Sequence, residues 1–409
     1  MIKRLLARPE VGVVVGLAGQ AGSAMALAIL SARWLGPADR GLVVVSTVLG
    51  SLLMLVGSLG TPTGARVLVA LDEARHERMS VADVLASTRI LLSAHLFTTT
   101  AVGALVFWLV SGQLRWGVLL LFVGYAVLML AAYIRRELLH GLGKHRAAVN
   151  GEILTVVVQL GLTTAAHVAE VLTVETALLS LGLGVGAQLL MQRVLLGEHR
   201  EGASNARLRL LRYSFPALGT TVGQAFALRG DRLVLGVIAS SAAAGVYGSA
   251  ASLSEALTLV AAGVGQVLFR RSSGGTSRAR ILKPLVAITA LTGIGAAALA
   301  WLAPWLIEIA LGDAYMSAVV PLRVLCVATV PLATYQVAVA ALNGSGRLSA
   351  AGRVTLTGAV VLTVGCFVLI PAWGMVGAAG ASVVAYTFMA AGAFWSLPAR
   401  DANCSGPQA

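Results

Sequence analysis

Arg229-Gly230-Asp231-Arg232 is the stretch whose residue types could do chemistry, because it lies inside an apolar run that continues to Ile238. Ionised side chains within a bilayer cost at least about 2.5–3.5 kcal/mol each on insertion scales, so they persist by pairing or by lining a wet cavity. Glu255 lies about ten residues into the next apolar run, and antiparallel packing would bring it to a similar depth. On a helical wheel Arg229 and Arg232 stand about 60° apart while Asp231 points elsewhere, so one carboxylate does not neutralise both. Two readings stay open. An Arg232–Glu255 or Arg229–Glu255 bridge could simply join helices, or at least one arginine could face a substrate cavity.

Other polar residues within the apolar runs could add to such a cavity. Arg323, about seven residues into a later run, could offer a second cation to an anionic ligand or snorkel to the outer interface. Gln20, Gln224, Gln266 and Gln336 could bond sugar hydroxyls, although amides also join helices to each other. His95 and His167 stand alone in their runs, with nothing acidic beside them to form a proton relay. The candidate substrate-binding set is therefore Arg229, Arg232, Asp231, Glu255, Arg323, Gln224 and Gln20.

Signs of catalysis are missing. Gly141-Leu142-Gly143-Lys144 lacks the spacing and the following Ser/Thr of a phosphate-binding loop, and it follows an apolar run rather than a strand. No Ser/His/Asp grouping, metal-ligand cluster or carboxylate pair stands out between the runs, and these connections are too short for a catalytic domain. Cys326, Cys366 and Cys404 are scattered, with no metal or disulfide spacing. The expectation is a protein that is no enzyme, with no catalytic residues, no cofactor and no metal.

The elements that must position these residues are membrane helices. The chain is 58% hydrophobic and 11% charged, with a mean hydropathy of +0.87. Lipid is therefore most of its solvent. Twelve apolar runs of about 20 residues or more follow one another. They are 11–34, 42–69, 90–111, 116–135, 149–168, 173–193, 213–238, 246–269, 284–310, 316–342, 351–371 and 375–397. The runs are continuous rather than alternating, which argues against a β-barrel.

A net charge of +13 could suggest nucleic acid. The basic residues, however, fall in short blocks on one side of the expected membrane. Arg33, Arg40 and Arg115 lie on the other side and Arg229, Arg232 and Arg323 lie within runs, which leaves 24 of the 30 on the side of the N-terminus. By the positive-inside rule both termini are cytoplasmic, in a multi-pass protein of the inner (cytoplasmic) membrane with no nucleic-acid partner. The start of the chain resembles a signal peptide, with Lys3, Arg4 and Arg8 before a run from Val11 to Leu30. That run is too long for a usual h-region and reads as a retained first helix.

The second half reads as a loose copy of the first. Gly141-Leu142-Gly143-Lys144 recurs as Gly344-Ser345-Gly346-Arg347, and Ala147-Ala148 recurs as Ala350-Ala351. Gly41 aligns with Gly245, and Arg66 with Arg270. The expected architecture is all-α and polytopic: a six-helix lobe at 1–195, a basic linker at 196–212, a second six-helix lobe at 213–397 and a cytoplasmic tail at 398–409. Six spans per half give both lobes one orientation, with the site in the cleft between them.

Three motifs carry a family resemblance. They are Ala32-Arg33-Trp34-Leu35-Gly36-Pro37-Ala38-Asp39-Arg40-Gly41; Asp231-Arg232-Leu233-Val234-Leu235-Gly236 with Ala244-Gly245-Val246-Tyr247; and Leu369-Ile370-Pro371-Ala372-Trp373-Gly374-Met375-Val376-Gly377-Ala378-Ala379. In order and position they resemble bacterial polysaccharide-biosynthesis flippases of the O-antigen type, in the multidrug/oligosaccharidyl-lipid/polysaccharide exporter superfamily (MOP, MATE-like). The resemblance implies a two-lobed fold that moves lipid-linked oligosaccharide, of the undecaprenyl-pyrophosphate type, outward by alternating access. Membrane lipid and other polysaccharide-assembly membrane proteins are the further partners it implies. Many such proteins carry fourteen spans, whereas twelve are expected here. Arg229, Arg232 and Arg323 would neutralise the pyrophosphate in transit. Two other functions compete: a cation-coupled multidrug antiporter on the same fold, which would need cavity carboxylates, and a membrane-embedded glycan polymerase or ligase, which would need a large outer loop.

Overall fold

The computed structural model describes the backbone of residues 9–70, 79–197, 207–272 and 277–398. Side chains are described over the same ranges except 9–21, 207, 213, 216–217, 220, 266–267 and 269–271. Gln20, Gln266, Arg270, Cys404, most of the expected linker and nearly all of the tail therefore lie outside the described side chains.

The described chain is helical and contains no strand. Its helices are α1 (Pro9–Gly57), α2 (Thr61–Ala70), α3 (Val81–Ser111), α4 (Trp116–Gly141), α5 (His145–Val168), α6 (Val174–Leu196), α7 (Arg207–Ile238), α8 (Ser241–Glu255), α9 (Leu259–Arg271), α10 (Arg278–Ala310), α11 (Val319–Gly344) and α12 (Leu348–Ser396). Among the described residues, eight helical segments are long and apolar enough to cross a membrane. The expected count of twelve is reached only if kinked helices count twice and if α7 and the α8–α9 pair also cross.

The kinks have local causes. Gly36 has φ 75° and ψ 169° in the middle of α1, and Pro37 restarts the helix at a position that needs no N–H. Gly374 has φ 54° and ψ −129° in α12. At 49 residues α12 would be about 74 Å long if straight, more than twice the roughly 30 Å of a bilayer core, so it is too long for one crossing. The expected run 246–269 is not one helix. α8 ends at Glu255, a 3₁₀ turn covers Ala256–Thr258, and α9 resumes at Leu259.

The chain divides into two compact units, residues 1–218 and 219–409. The division falls inside α7, beyond the linker expected at 196–212. The first turns of α7 belong to unit 1, where Leu210 joins the core of Ala65, Leu68, Val69, Met79, Val84, Leu130, Ile134 and Leu138. Ser214 packs on α2 so closely that a Cβ on Gly64 would come within 2.1 Å of its Oγ.

Each unit is built around one central helix. In unit 1, α4 packs against α1, α2, α3 and α6; in unit 2, α11 packs against α8, α9, α10 and α12. Both helices have 26 residues and both end in the repeated Gly-x-Gly-basic turn. The turns match bond for bond. Gly143 and Gly346 have φ +74° and +78°, and Lys144 N–H donates to Leu139 O (2.9 Å) as Arg347 N–H does to Leu342 O (3.0 Å). Further on, Lys144 Nζ donates to Leu195 O (2.9 Å), and Arg347 Nη1 donates to Ser396 O (3.0 Å). In each unit a cation thus caps the negative end of the unit's last helix. Two more left-handed breaks recur at nearly the same spacing, Gly112 with Gly312 and Glu170 with Gly374.

Candidate substrate site

The site residues gather in unit 2, on α7 and α8. Ser240 caps α8, its hydroxyl accepting from Ala243 N–H (3.1 Å), and the helix that follows is almost all small residues. Residues from Ala244 to Ala251 are buried, as small side chains permit where helices approach closely.

Asp231 and Tyr247 each stand about 10 Å from the α7–α8 connection, so they meet at one level. Tyr247 donates its hydroxyl to Asp231 Oδ2 (2.6 Å). Ser382, from the second arm of α12, donates to the same oxygen (3.2 Å), and the Arg232 backbone N–H donates to Oδ1 (2.8 Å). With three donors and only 2% exposure, Asp231 is a satisfied interior carboxylate joining α7, α8 and α12. It was expected among the substrate-binding residues; the geometry places it inside unit 2, where it positions its neighbours.

Arg232 pairs with Glu255 through Nη2 and Oε1. The backbone levels differ more than the sequence suggests, because α8 starts at Ser241 and places Glu255 about 21 Å from its own beginning. Side chains on a helix lean toward its N-terminus. Arg232 therefore leans away from the α7–α8 connection and Glu255 leans toward it, and the two close the gap. The pair is unequal: the arginine side chain is 9% exposed and the glutamate 41%. Arg232 Nε is buried and lacks an acceptor.

Arg229 is different again. It is exposed on unit 2, about 14 Å from the end of α7, and no described residue bonds to it. Arg229 and Arg232 thus have separate roles: one is free, the other held.

The remaining candidates do not join this group. Arg323 is exposed at the start of α11 and donates Nε to Ala300 O (3.1 Å) on α10, beside the exposed, edge-to-face Trp301 and Trp305. Arginine and tryptophan together are the residues of a membrane interface. Gln224 is half-buried with no hydrogen bond to a described residue, and Gln336 leaves its Oε1 buried without a partner. His95 and His167 belong to unit 1. His95 is buried within hydrogen-bonding distance of Ala126 O (3.3 Å), and His167 stacks on Trp34 with ring centroids 4.3 Å apart.

Sequence reasoning passed over Tyr247 and Ser382. Tyr247 stood in a quoted motif with no chemistry attached to it, and Ser382 lies 151 residues from its partner. It also passed over a second charged cluster, in unit 1. Arg136 binds Glu152 and Glu137 (3.1 Å to the latter), Arg66 reaches Glu137 at 3.5 Å, and Arg136 lies over the Tyr133 ring at 4.8 Å. Among the described residues no group of three or more His, Cys, Asp or Glu could hold a metal ion.

No family profile and no curated protein matches the chain. Solved structures do. An inward-facing multidrug resistance MATE family transporter of the MOP superfamily matches with a TM-score of 0.73 at 15% identity, over 92% of this chain and 93% of that one. The lipid II flippase MurJ, in an inward closed conformation, matches with a TM-score of 0.78 at 11% identity, over 94% and 87%. A MOP superfamily transporter from Pyrococcus furiosus, described by the reverse polarity of its binding pocket, matches at 0.60 and 15%, over 95% and 94%. The fold of this chain is the fold of MOP superfamily transporters, as the three sequence motifs implied.

Proposed function

We propose that this chain is a flippase that carries lipid-linked oligosaccharide of the polyprenyl-pyrophosphate type across the bacterial inner membrane by alternating access. The observation that carries the reading is Arg229. A guanidinium exposed on unit 2, deep along α7 and paired with no described residue, is not tolerated against lipid and calls for water or an anionic ligand. A pyrophosphate joined to a glycan and a long apolar tail supplies that anion, and no bond need be made or broken. The likeness to a lipid II flippase supports a lipid-linked cargo. In this reading twelve spans form two six-helix lobes with both termini cytoplasmic. Arg229 and Arg232 bind the phosphates, Gln224 bonds glycan hydroxyls, and Arg323 serves as an interface anchor.

A multidrug antiporter is the second reading, favoured by the MATE likeness and by the partial exposure of Glu255. One experiment separates the two. Arg229→Ala should abolish surface glycan in a glycan-exporting host while membrane abundance stays at the parent level, since the residue holds nothing in the fold. Arg229→Lys should restore part of the export if charge suffices, and little if a bidentate fork is needed. Undiminished glycan in Arg229→Ala, with extrusion of a cationic dye by the parent, would overturn the flippase reading.

A further inference from the structure

We propose that Glu255 is a built-in stand-in for the substrate's anionic group: it occupies Arg232 while the transporter is empty and is displaced when phosphate arrives. The inference rests on the reading that this surface of unit 2 takes an anion. Three observations carry it.

The pair is lopsided. Desolvating a charge is costly and is repaid only by a well-bonded partner held in good geometry. Here the cation is buried, yet its carboxylate partner keeps 41% of its side chain open to the unit's surface. Glu255 thus meets the buried Arg232 from the exposed side of the pair.

The pair is also incomplete. Arg232 Nε is buried without an acceptor, so one carboxylate leaves a donor of the guanidinium unused. A phosphate presents more oxygens, in the fork geometry that guanidinium prefers, and would satisfy donors that Glu255 does not.

Glu255 is positioned to let go. It is the last residue of α8, where the backbone gives way to the 3₁₀ turn Ala256–Thr258 before α9. A 3₁₀ stretch between two α-helical segments commonly marks a hinge. The C-terminal end of a helix also repels a carboxylate, so α8 itself gives Glu255 no electrostatic reason to stay. Arg232 is what holds it.

A stand-in has two physical uses. It spares the empty protein a buried unpaired arginine, which is strongly destabilising. It also competes with the cargo, so release on the far side does not have to strip an anion from a bare guanidinium. Arg229, three residues away and unpaired, makes the first contact, and Arg232 becomes available only by exchange.

The test uses the full-length protein in neutral phosphatidylcholine nanodiscs, with farnesyl pyrophosphate as probe and Kd read by calorimetry. Glu255→Gln keeps an acceptor for Arg232 but removes the competing charge, and should bind the probe roughly tenfold more tightly than the parent. Glu255→Asp, whose shorter arm reaches Arg232 less well, should fall between and covers the case in which Glu255→Gln does not fold. Inorganic pyrophosphate should compete with the probe in every variant, which separates headgroup recognition from tail binding. Unchanged or weaker binding in Glu255→Gln, or in Glu255→Asp should only that variant fold, overturns the displacement. If the parent binds, Arg229→Ala weakens binding and Glu255→Gln does not tighten it, displacement alone fails. If the parent does not bind, or Arg229→Ala leaves Kd untouched, the anion site itself fails.

Discussion

The two units share a scaffold and differ in where they keep their charge. Unit 1 places its ion pairs within about 11 Å of the ends of its helices. Arg136, Glu137, Glu152 and Arg66 cluster toward the Gly-x-Gly turn, and Arg115 and Glu175 pair at the opposite end (2.5 Å). Between these ends it uses neutral groups: His95 beside Ala126 O, Gln159 donating to Leu181 O (3.1 Å), and Thr155 donating to Gln188 (2.8 Å). Unit 2 does the reverse. Thr355 stands where the repeat places Glu152, and it shares a neutral hydrogen bond with Tyr335 (2.8 Å), one turn from the counterpart of Arg136. The ionised groups of unit 2 lie instead on α7 and α8, with exposed Arg229 about 14 Å from the end of α7 and Glu255 about 21 Å along α8. A charge near a helix end reaches water cheaply, whereas one deep in the span needs partners or a wet surface. The duplicated frame thus carries its charges differently in the two units, and on the proposed function it is unit 2 that offers cations to an anionic cargo.

The contrast can be broken most forcefully at Asp231. Asp231→Ala strands the Tyr247 hydroxyl, the Ser382 hydroxyl and the Arg232 N–H in the interior of unit 2. It also leaves Arg232 with Glu255 as its remaining carboxylate neighbour. A loss of about 3–5 kcal/mol is expected, as for other broken buried charge networks. It would appear as a large fall in the thermal midpoint of the detergent-solubilised protein and in membrane abundance. A variant as stable as the parent would show that the network does not hold α7, α8 and α12 together.

Much of this division was legible in the sequence, and the reasons differ by feature. Helical runs announce themselves through composition alone, so the expected runs fall largely on helical backbone, although a turn at Ser58–Gly60 breaks the run 42–69. The repeat was legible because a left-handed turn demands glycine, and the pairs Gly143/Gly346 and Lys144/Arg347 are local chemistry. That one of the two arginines would pair with Glu255 followed from cost, since a deep arginine needs a partner, but the choice of Arg232 over Arg229 came from the geometry alone. The break at Ala256–Thr258 was not legible, because Ala, Leu and Thr are unremarkable within a helix. Nor was the role of Asp231, which depends on Ser382 arriving from a distant helix. Arg323 was ambiguous because snorkelling and ligand binding use the same residue, and its bond to Ala300 O, next to exposed Trp301, is what supports the interface reading.

The charged cluster of unit 1 offers a sharper test of the same contrast. Removing Arg136 leaves Glu152 and Glu137 short of a cation, with side chains only 16% and 12% exposed. Arg136→Ala should cost about 2–3 kcal/mol, less than a fully buried pair because the arginine is 30% exposed. The double change Arg136→Gln with Glu152→Gln should recover most of that loss. In both variants export per molecule of membrane-inserted protein should match the parent if this cluster serves only to hold unit 1 together. Export that falls in the double variant while stability recovers would move part of the substrate path into unit 1.

The smallest expected effect tests the shared frame. Gly143 and Gly346 both adopt positive φ, and a Cβ at either position would meet nothing within 4 Å. Replacing either with alanine therefore creates no clash and costs only the strain of a left-handed residue, about 1–2 kcal/mol. If the two turns are equivalent, Gly143→Ala and Gly346→Ala should lower the thermal midpoint by matching amounts, with export per molecule unchanged in each. The comparison is clean because both turns carry matching backbone bonds and each sends a cation, Lys144 or Arg347, to the end of α6 or α12. A loss confined to Gly346→Ala would mean that unit 2 relies on its turn in a way unit 1 does not. Since Arg347 also steadies the end of α12, such an asymmetry would trace to the helix that supplies Ser382 to Asp231, and so to the unit that carries the charged site.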